Sequence, residues 1–445
     1  MELQSDVKAT KKGSSELIYK IDDKPPLAIA IPLAIQHIVA AFSGIVAVPL
    51  VVGGVLGLPF EQMTYLVNMA LFMAGVTTVM QTVGFGPKKF RVGSRLPCVM
   101  GTDFTFVGPA IAVGFAGGLP AIFGATIVGA LVEVILSRFF GSLKKFFPPV
   151  VTGTVVTLIG LTILPVAVDW AAGGYGAPDY GSLTNIFIAL TVMAIIVVLN
   201  QWGKGFVSSG SILLGIIAGY IIAVPFGLVD FSRIADASFI SFPQPFKYGI
   251  TFNIGAILAF IPAYLVTTVE TVGDLMAVAE ASDHEVTSEE LSAGLLCDGV
   301  GSMVAGVFNA MPNTSFSQNV GIIPITGVAS RYVVMIAGFV LMIIGVFPKI
   351  GALVSIMPNP VLGGAGIIMF GMIAVGGINI LKDVNMSRRN MMVVAISLSL
   401  GMAVVVRPAI LEHFPAVVKT VFESGITTGT LFALVLNVIL PKDMD

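Results

Sequence analysis

An all-helical protein that crosses a membrane many times is the fold class this sequence predicts, and three observations carry it. Of 445 residues, 56% are hydrophobic and only 11% charged. Ordinary soluble domains carry about 25% charged residues, so a soluble fold of this length would lack its charged skin. The apolar residues come in continuous runs of about 20, the length of a spanning helix, not in the alternating segments of a transmembrane barrel. The 23 Lys and Arg residues also fall mostly on one side of these runs. Two cysteines, Cys98 and Cys297, exclude a disulfide scaffold, and a net charge of -2 leaves no basic footprint for nucleic acid.

Taken in order, the chain opens with residues 1–25, polar and Lys-rich. No small-residue cleavage site follows them, so they read as a cytoplasmic tail rather than a signal peptide. About 14 candidate spans come next, near 28–50, 64–83, 98–115, 119–138, 149–168, 183–200, 210–227, 252–277, 289–308, 314–327, 331–347, 360–379, 390–406 and 425–440. With the N-terminus inside, Arg233, Lys247, Lys349, Arg407 and Lys419 lie outside, and the other 18 of the 23 lie inside. That asymmetry fits an even number of spans with both termini cytoplasmic, in an inner membrane.

The halves echo each other. Phe147-Pro148-Pro149-Val150-Val151-Thr152-Gly153 resembles Met357-Pro358-Asn359-Pro360-Val361-Leu362-Gly363. Each stretch enters a Gly-rich span, the fifth and the twelfth. Seven spans plus seven would place the second half upside down, the inverted repeat of secondary transporters. Spans three and ten are short and interrupted. They contain Gly101-Thr102-Asp103-Phe104-Thr105-Phe106 and Asn313-Thr314-Ser315-Phe316-Ser317-Gln318-Asn319. Such paired breaks point to a binding site, because non-helical backbone at membrane depth needs protein or a cavity to cover it.

Ionisable side chains within spans cost a few kcal/mol each. Here they are His37, Asp103, Glu133, Glu270, Asp274 and Asp298, with Arg407 near a span end and the amides Gln36, Gln318 and Asn319 beside them. Glu270 and Asp274, four residues apart, share one helical face. Two carboxylates on one face repel when both are charged, and a carboxyl that changes charge is what a proton-coupled carrier needs. Glu133 has a second reading as a local polar pair with Arg138. Asp298-Gly299 has one as a cap on a broken helix, and Arg407 as a residue reaching to the interface. No nucleophile–base pair, metal-ligand cluster or phosphate loop suggests an enzyme.

Four motifs carry a resemblance. Ser317-Gln318-Asn319-Val320-Gly321-Ile322-Ile323-Pro324-Ile325-Thr326-Gly327 resembles the signature of the nucleobase–ascorbate transporters, the nucleobase:cation symporter-2 family of xanthine and uracil permeases. Gln36-His37 resembles the family's first-span pair. Glu270-Thr271-Val272-Gly273-Asp274 resembles its eighth-span motif, and Asp298-Gly299 the pair opening its ninth span. The four occur in family order.

The resemblance implies a core domain (26–138 with spans 1–4, 251–350 with spans 8–11) and a gate domain (139–250 with spans 5–7, 351–445 with spans 12–14 and a short C-terminal tail). It implies short strands in spans three and ten that pair, a homodimer and an elevator-like movement. Glu270 and Gln318 match residues that bond the base, with Ser317 beside them, and Phe104 matches an aromatic stacked near it. Asn319 and Thr326 match positions supporting the site and its selectivity. His37, Asp274 and Asp298 match positions tied to architecture or coupling, with Gln36 bracing the site.

The expected activity is proton-coupled uptake of a purine nucleobase in the xanthine–urate branch, with H⁺ as coupling ion and no cofactor. Xanthine is favoured because Gln at the first motif position and Gly at the last accompany oxopurines among relatives. Asp103 departs from the family pattern, and an ionised Asp103 near the ligand would disfavour urate and favour a purine with more donors, such as guanine. The rival readings are a uracil permease, an anion transporter of the sulfate/bicarbonate type on the same architecture, and a membrane enzyme or channel.

Overall fold

The computed structural model describes residues 17–143 and 148–441. Most of the Lys-rich tail (1–16), Lys144 and Lys145 of one charged loop, Phe147 of the echo and Lys442 lie outside the described residues. The first part of the chain folds into α1 (Leu27–Val55), α2 (Phe60–Val83), the strand β1 (Met100–Thr102), α3 (Val107–Gly129) and α4 (Leu131–Leu143). Next come α5 (Pro149–Ala171), α6 (Leu183–Trp202), α7 (Phe206–Ser209), α8 (Ser211–Ala223) and α9 (Ser232–Asp236). Then follow α10 (Ile254–Ala281), α11 (Ser288–Val307), the strand β2 (Asn313–Ser315), α12 (Ile322–Thr326), α13 (Arg331–Gly345) and α14 (Pro348–Ser355). The last four helices are α15 (Asn359–Lys382), α16 (Arg388–Val406), α17 (Ala416–Phe422) and α18 (Gly425–Ile439).

Among the described residues, nine helices are long and apolar enough to cross a membrane, and ten if α13 and α14, bent by 81°, count as one. The remaining expected spans are shorter or split. The seventh is a 13-residue helix and the fourteenth a 15-residue one. The tenth shrinks to a strand, a 3-10 turn and the five-residue α12. Spans three and four run through α3, which breaks at Gly118 (φ +68°) two residues before Pro120. That φ suits glycine, and the proline cannot donate to the preceding turn.

The apolar helices are not all buried by the chain itself. On α6, Leu183, Phe187, Leu190 and Val197 follow helical spacing and stay largely exposed. Such an apolar stripe belongs against lipid rather than water. Helix starts are encoded locally. Pro149 and Pro360 stand in the first turns of α5 and α15, where the missing N–H costs nothing. Thr287 and Glu290 form a capping box that opens α11.

Packing divides the helices into two groups. In one, α2 lies along α13, α4 on α11 and α3 on α10. In the other, α5 lies along α15, α15 on α6, and α16 on α5 and α18. The α5–α15 seam is close because glycines face backbone there. A Cβ on Gly160 would sit 2.5 Å from the Phe370 carbonyl oxygen, and one on Gly377 2.2 Å from the Thr157 nitrogen. The two echoing Pro-rich stretches thus open two helices that pack on each other.

Candidate functional site

The two broken segments meet. β1 and β2 pair antiparallel, with Met100 opposite Ser315, Gly101 opposite Thr314 and Thr102 opposite Asn313. The ladder extends one bond each way, from the Asp103 N–H to the Pro312 carbonyl (3.1 Å) and from the Phe316 N–H to the Val99 carbonyl (2.9 Å). Each strand then tightens into a 3-10 turn, Phe104–Phe106 or Ser317–Asn319. The first N–H groups of such turns have no acceptor within the helix.

The pair is seated on α1 through two glycines. A Cβ on Gly101 would lie 2.7 Å from the Phe316 ring, and one on Gly44 would lie 3.0 Å from that ring and 3.1 Å from Gln318 Nε2. Thr102 Oγ1 donates to the Ile45 carbonyl at 2.8 Å.

A cavity of about 280 Å³ opens between the two helix groups. The broken segments supply Asp103, Phe104, Ser317 and Gln318, and α10 supplies Glu270 and Asp274. The facing wall is apolar, from Val156 and Ile159 of α5 and Met372 and Ile373 of α15. Thr105 Oγ1 donates to Glu270 Oε2 at 3.1 Å. Ser315 Oγ donates to Asp274 Oδ2 at 2.7 Å. Asp103 Oδ1 accepts the Thr105 N–H at 2.7 Å, and its Oδ2 is buried with no hydrogen-bond partner among the described residues. The Phe104 ring meets Phe370 edge-on at 5.7 Å.

Behind the wall runs a hydroxyl network. Ser315 Oγ also reaches Thr271 Oγ1 (3.3 Å), Thr271 donates to Asp298, and Thr267 Oγ1 donates to Thr314 Oγ1 at 2.8 Å. Asp298 is therefore fully buried in the middle of α11, facing α10. It caps no helix and opens no span, contrary to both sequence readings, because α11 already starts at its Thr287 cap.

The other expected residues sit away from the cavity. Asn319 Nδ2 donates to the His37 carbonyl at 2.9 Å and lies 3.2 Å from His37 Nδ1. It joins the second segment to α1, where Gln36 and His37 are both buried. Thr326 closes α12: its hydroxyl donates to the Ile322 carbonyl at 2.8 Å and accepts the Val328 N–H at 3.3 Å. Gly327 follows at φ +69°, a left-handed helix end that glycine adopts without strain. Glu133 does not pair with Arg138. Its two oxygens lack hydrogen-bond partners among the described residues, and the Arg138 guanidinium lies 4.4 Å above the Phe90 ring. Five residues apart, the two side chains project about 140° apart around a helix. Cys98 and Cys297 are buried free thiols.

Thr105 and Ser315, the direct partners of Glu270 and Asp274, were not singled out from the sequence. Both lie inside the broken segments, so their neighbourhood was visible but their partners were not. Val156, Ile159, Met372 and Ile373 carried no signal, being apolar residues in apolar helices.

The fold and this site define a membrane permease rather than an enzyme. The Permease family (Xan_ur_permease) matches residues 28–410, and the chain belongs to it, the nucleobase:cation symporter-2 family. A Clostridium perfringens chain, provisionally named a purine permease, is 50% identical over 97% of this chain and 95% of its own. The xanthine permease of Bacillus subtilis is 41% identical over 92% of each chain. The uric acid permease PucK of the same organism is 40% identical over 91% and 94%. Among solved structures, the transmembrane domain of the cyanobacterial bicarbonate transporter BicA superposes with a TM-score of 0.60 at 16% identity, covering 94% of this chain and all of that one. Likeness at that identity concerns the fold.

Proposed function

We propose that the protein imports a purine nucleobase, xanthine before urate or guanine, driven by protons. The observation that carries this reading is the meeting of Glu270, Gln318 and Phe104 in one cavity, where the two broken segments and α10 face α5 and α15. A carboxylate accepts N–H groups, a carboxamide both donates and accepts, and backbone N–H groups of the turns serve carbonyl oxygens. A Phe ring adds a stacking face, about 1–3 kcal/mol per base in comparable sites. The volume, about 280 Å³, falls just below the range of about 300–1,000 Å³ for drug-sized ligands, which suits a small free base. The names of the xanthine and uric acid relatives support the same class.

Glu270 is the residue we assign to proton coupling, with H⁺ as coupling ion, because it lines the same cavity as the base-reading amide. Asp274 and the Ser315–Thr271–Asp298 network support it from behind. His37, Gln36, Asn319 and Thr326 hold the second segment in place. An anion carrier of the bicarbonate type is disfavoured, since Glu270, Asp103 and Asp274 all border the cavity.

The architecture we infer is seven spans plus seven, inverted, with both termini cytoplasmic in the inner membrane. Exchanging the halves maps contacts onto contacts: α2–α13 onto α11–α4, α6–α15 onto α16–α5, and α6–α8 onto α16–α18. The first helix group would be the core and the second the gate. Sliding of the core against the smooth apolar wall of α5 and α15 suits an elevator, with the gate holding a homodimer.

Two measurements test the reading. Xanthine should raise the melting temperature of the purified protein more than uracil does, because a ligand bound only by the native state stabilises it. Stabilisation by uracil alone would overturn the substrate. Glu270→Gln should abolish uphill accumulation, and full accumulation by that variant would remove Glu270 from the coupling role.

A further inference from the structure

Glu270 and its neighbours do not account for every acid buried in the first helix group. Glu133 of α4 is fully buried, and neither of its carboxyl oxygens has a hydrogen-bond partner among the described residues. A charged carboxylate with both oxygens unanswered is expensive at such a place, and a protonated carboxyl much less so. Glu133 is therefore a proton holder that the reading above leaves without a use.

Its place in the packing suggests one. A Cβ on Gly299 would lie 2.9 Å from the Val134 nitrogen and 3.1 Å from the Ala130 carbonyl oxygen. The backbones of α4 and α11 thus touch beside Glu133 and Asp298. Asp298 is fully buried as well, and its Oδ1 is also without a partner among the described residues. The titratable groups in electrostatic reach of Glu133 are Asp298 of α11, Asp103 of the first broken segment and Tyr264 of α10. On α4 itself, Arg138 lies over the Phe90 ring.

From Asp298 the way to the cavity is polar. Thr271 donates to Asp298, and Ser315 Oγ reaches both Thr271 Oγ1 and Asp274 Oδ2. In the other direction the α4–α11 seam is polar too. One turn beyond Glu133, Ser137 Oγ donates to the Val134 carbonyl at 2.7 Å, and Ser292 Oγ of α11 donates to the Ser137 carbonyl at 2.6 Å. Ser292 is half-buried. Three residues before it, Glu289 pairs at 3.2 Å with Lys88, both exposed. Lys88 is among the cations that the charge asymmetry assigns inside. Glu133 stands between the cavity network and the inner surface, on a route that avoids the apolar wall of α5 and α15.

We propose that Glu133 is the residue through which the transported proton leaves for the inner solution. The Glu133 carboxyl releases its proton along the Ser137–Ser292 seam, and the resulting carboxylate takes the proton of Asp298. No other bond forms or breaks. The proposal rests on the proton-driven reading above.

Labelled xanthine and proteoliposomes of the full-length protein test it in two modes. One is net uptake driven by an acid exterior. The other is exchange of external for internal xanthine at equal pH, which needs no proton release. Glu133→Gln, which keeps the size and the neutral form, should slow net uptake about a hundredfold, the low end for loss of a positioned proton-transfer group. It should slow exchange far less. Glu133→Asp, which keeps a carboxyl, should recover most of the net uptake. A purely structural role would lower both modes together. Equal losses in the two modes, or no loss in either, would overturn the role of Glu133 and leave that of Glu270 standing. Absence of pH-driven uptake by the unaltered protein would overturn the proton-driven purine reading itself.

Discussion

The two broken segments begin alike and are held in place differently. Each is a three-residue strand followed by a 3-10 turn, yet the first continues into the 23-residue α3 and the second into the five-residue α12. The turn of the first carries a local cap, Asp103 accepting the N–H of Thr105, beside its bonds to α1 and α10 through Thr102 and Thr105. The second has no side-chain cap at Phe316. Its far end is tied instead by the chain before α1. The Ile18 N–H donates to the Gly327 carbonyl (2.8 Å), the Ala329 N–H to the Tyr19 carbonyl (2.9 Å) and the Arg331 N–H to the Ile21 carbonyl (3.0 Å). Ser330 Oγ donates to the Asp23 carbonyl at 2.6 Å. Its near end is tied to α1 by Asn319. The difference teaches that both segments lean on distant elements, but only the turn of the first also carries its own side-chain cap, while the far end of the second is strapped by the chain before α1.

The contrast of charge can be broken most sharply by Gln318→Glu. A fourth acid then joins Asp103, Glu270 and Asp274 around the cavity, and the amide's donor is lost. Xanthine uptake should fall about 30-fold, the scale of about 2 kcal/mol for a hydrogen bond to a charged or polar ligand. Uptake kinetics within twofold of the unaltered protein would place Gln318 outside ligand contact. The contrast of support is tested next by deleting residues 17–23. The four bonds named above, at about 1 kcal/mol each, should alone cost about 2–4 kcal/mol, read as a lower melting temperature and weaker xanthine binding. Unchanged melting would mean that the second segment stands without this strap.

The smallest expected effect falls on the first segment. Asp103→Ala should destabilise the ligand-free protein by about 1 kcal/mol, while Asp103→Asn, which keeps an acceptor oxygen for the turn, should cost a few tenths. Equal losses in the two variants would mean that the charge of Asp103, and not its cap, holds the turn.

Much of this site was legible in the chain as letters. Glu270 and Asp274 had to share a face at a spacing of four, and the interrupted stretches around Phe104 and Gln318 could not continue as helix. Both inferences need only local geometry. What escaped were partners: Ser315 for Asp274, Thr105 for Glu270, Thr271 for Asp298. These pairs join residues 27 to 165 positions apart, and hydroxyl residues are too common in apolar helices to advertise them. Glu133 and Arg138 show the opposite error, since closeness along the chain suggested a pair that helix geometry turns apart. The ending of the signature motif took on a plainer meaning too. Thr326 and Gly327 terminate α12.

By itself, then, the sequence determined the solvent and the local breaks. A charged fraction of 11% could not clothe a soluble fold, and hydropathy acts residue by residue without reference to partners. It also determined where helices start, as at Pro149, Pro360 and Thr287, because caps and proline act within a turn. The tertiary structure alone decided which breaks meet, that β1 and β2 pair, and that α5 and α15 supply the apolar wall opposite. Those outcomes depend on backbone hydrogen bonds and glycine-faced contacts between distant segments. In one dimension, neither has a period or a spacing to be read.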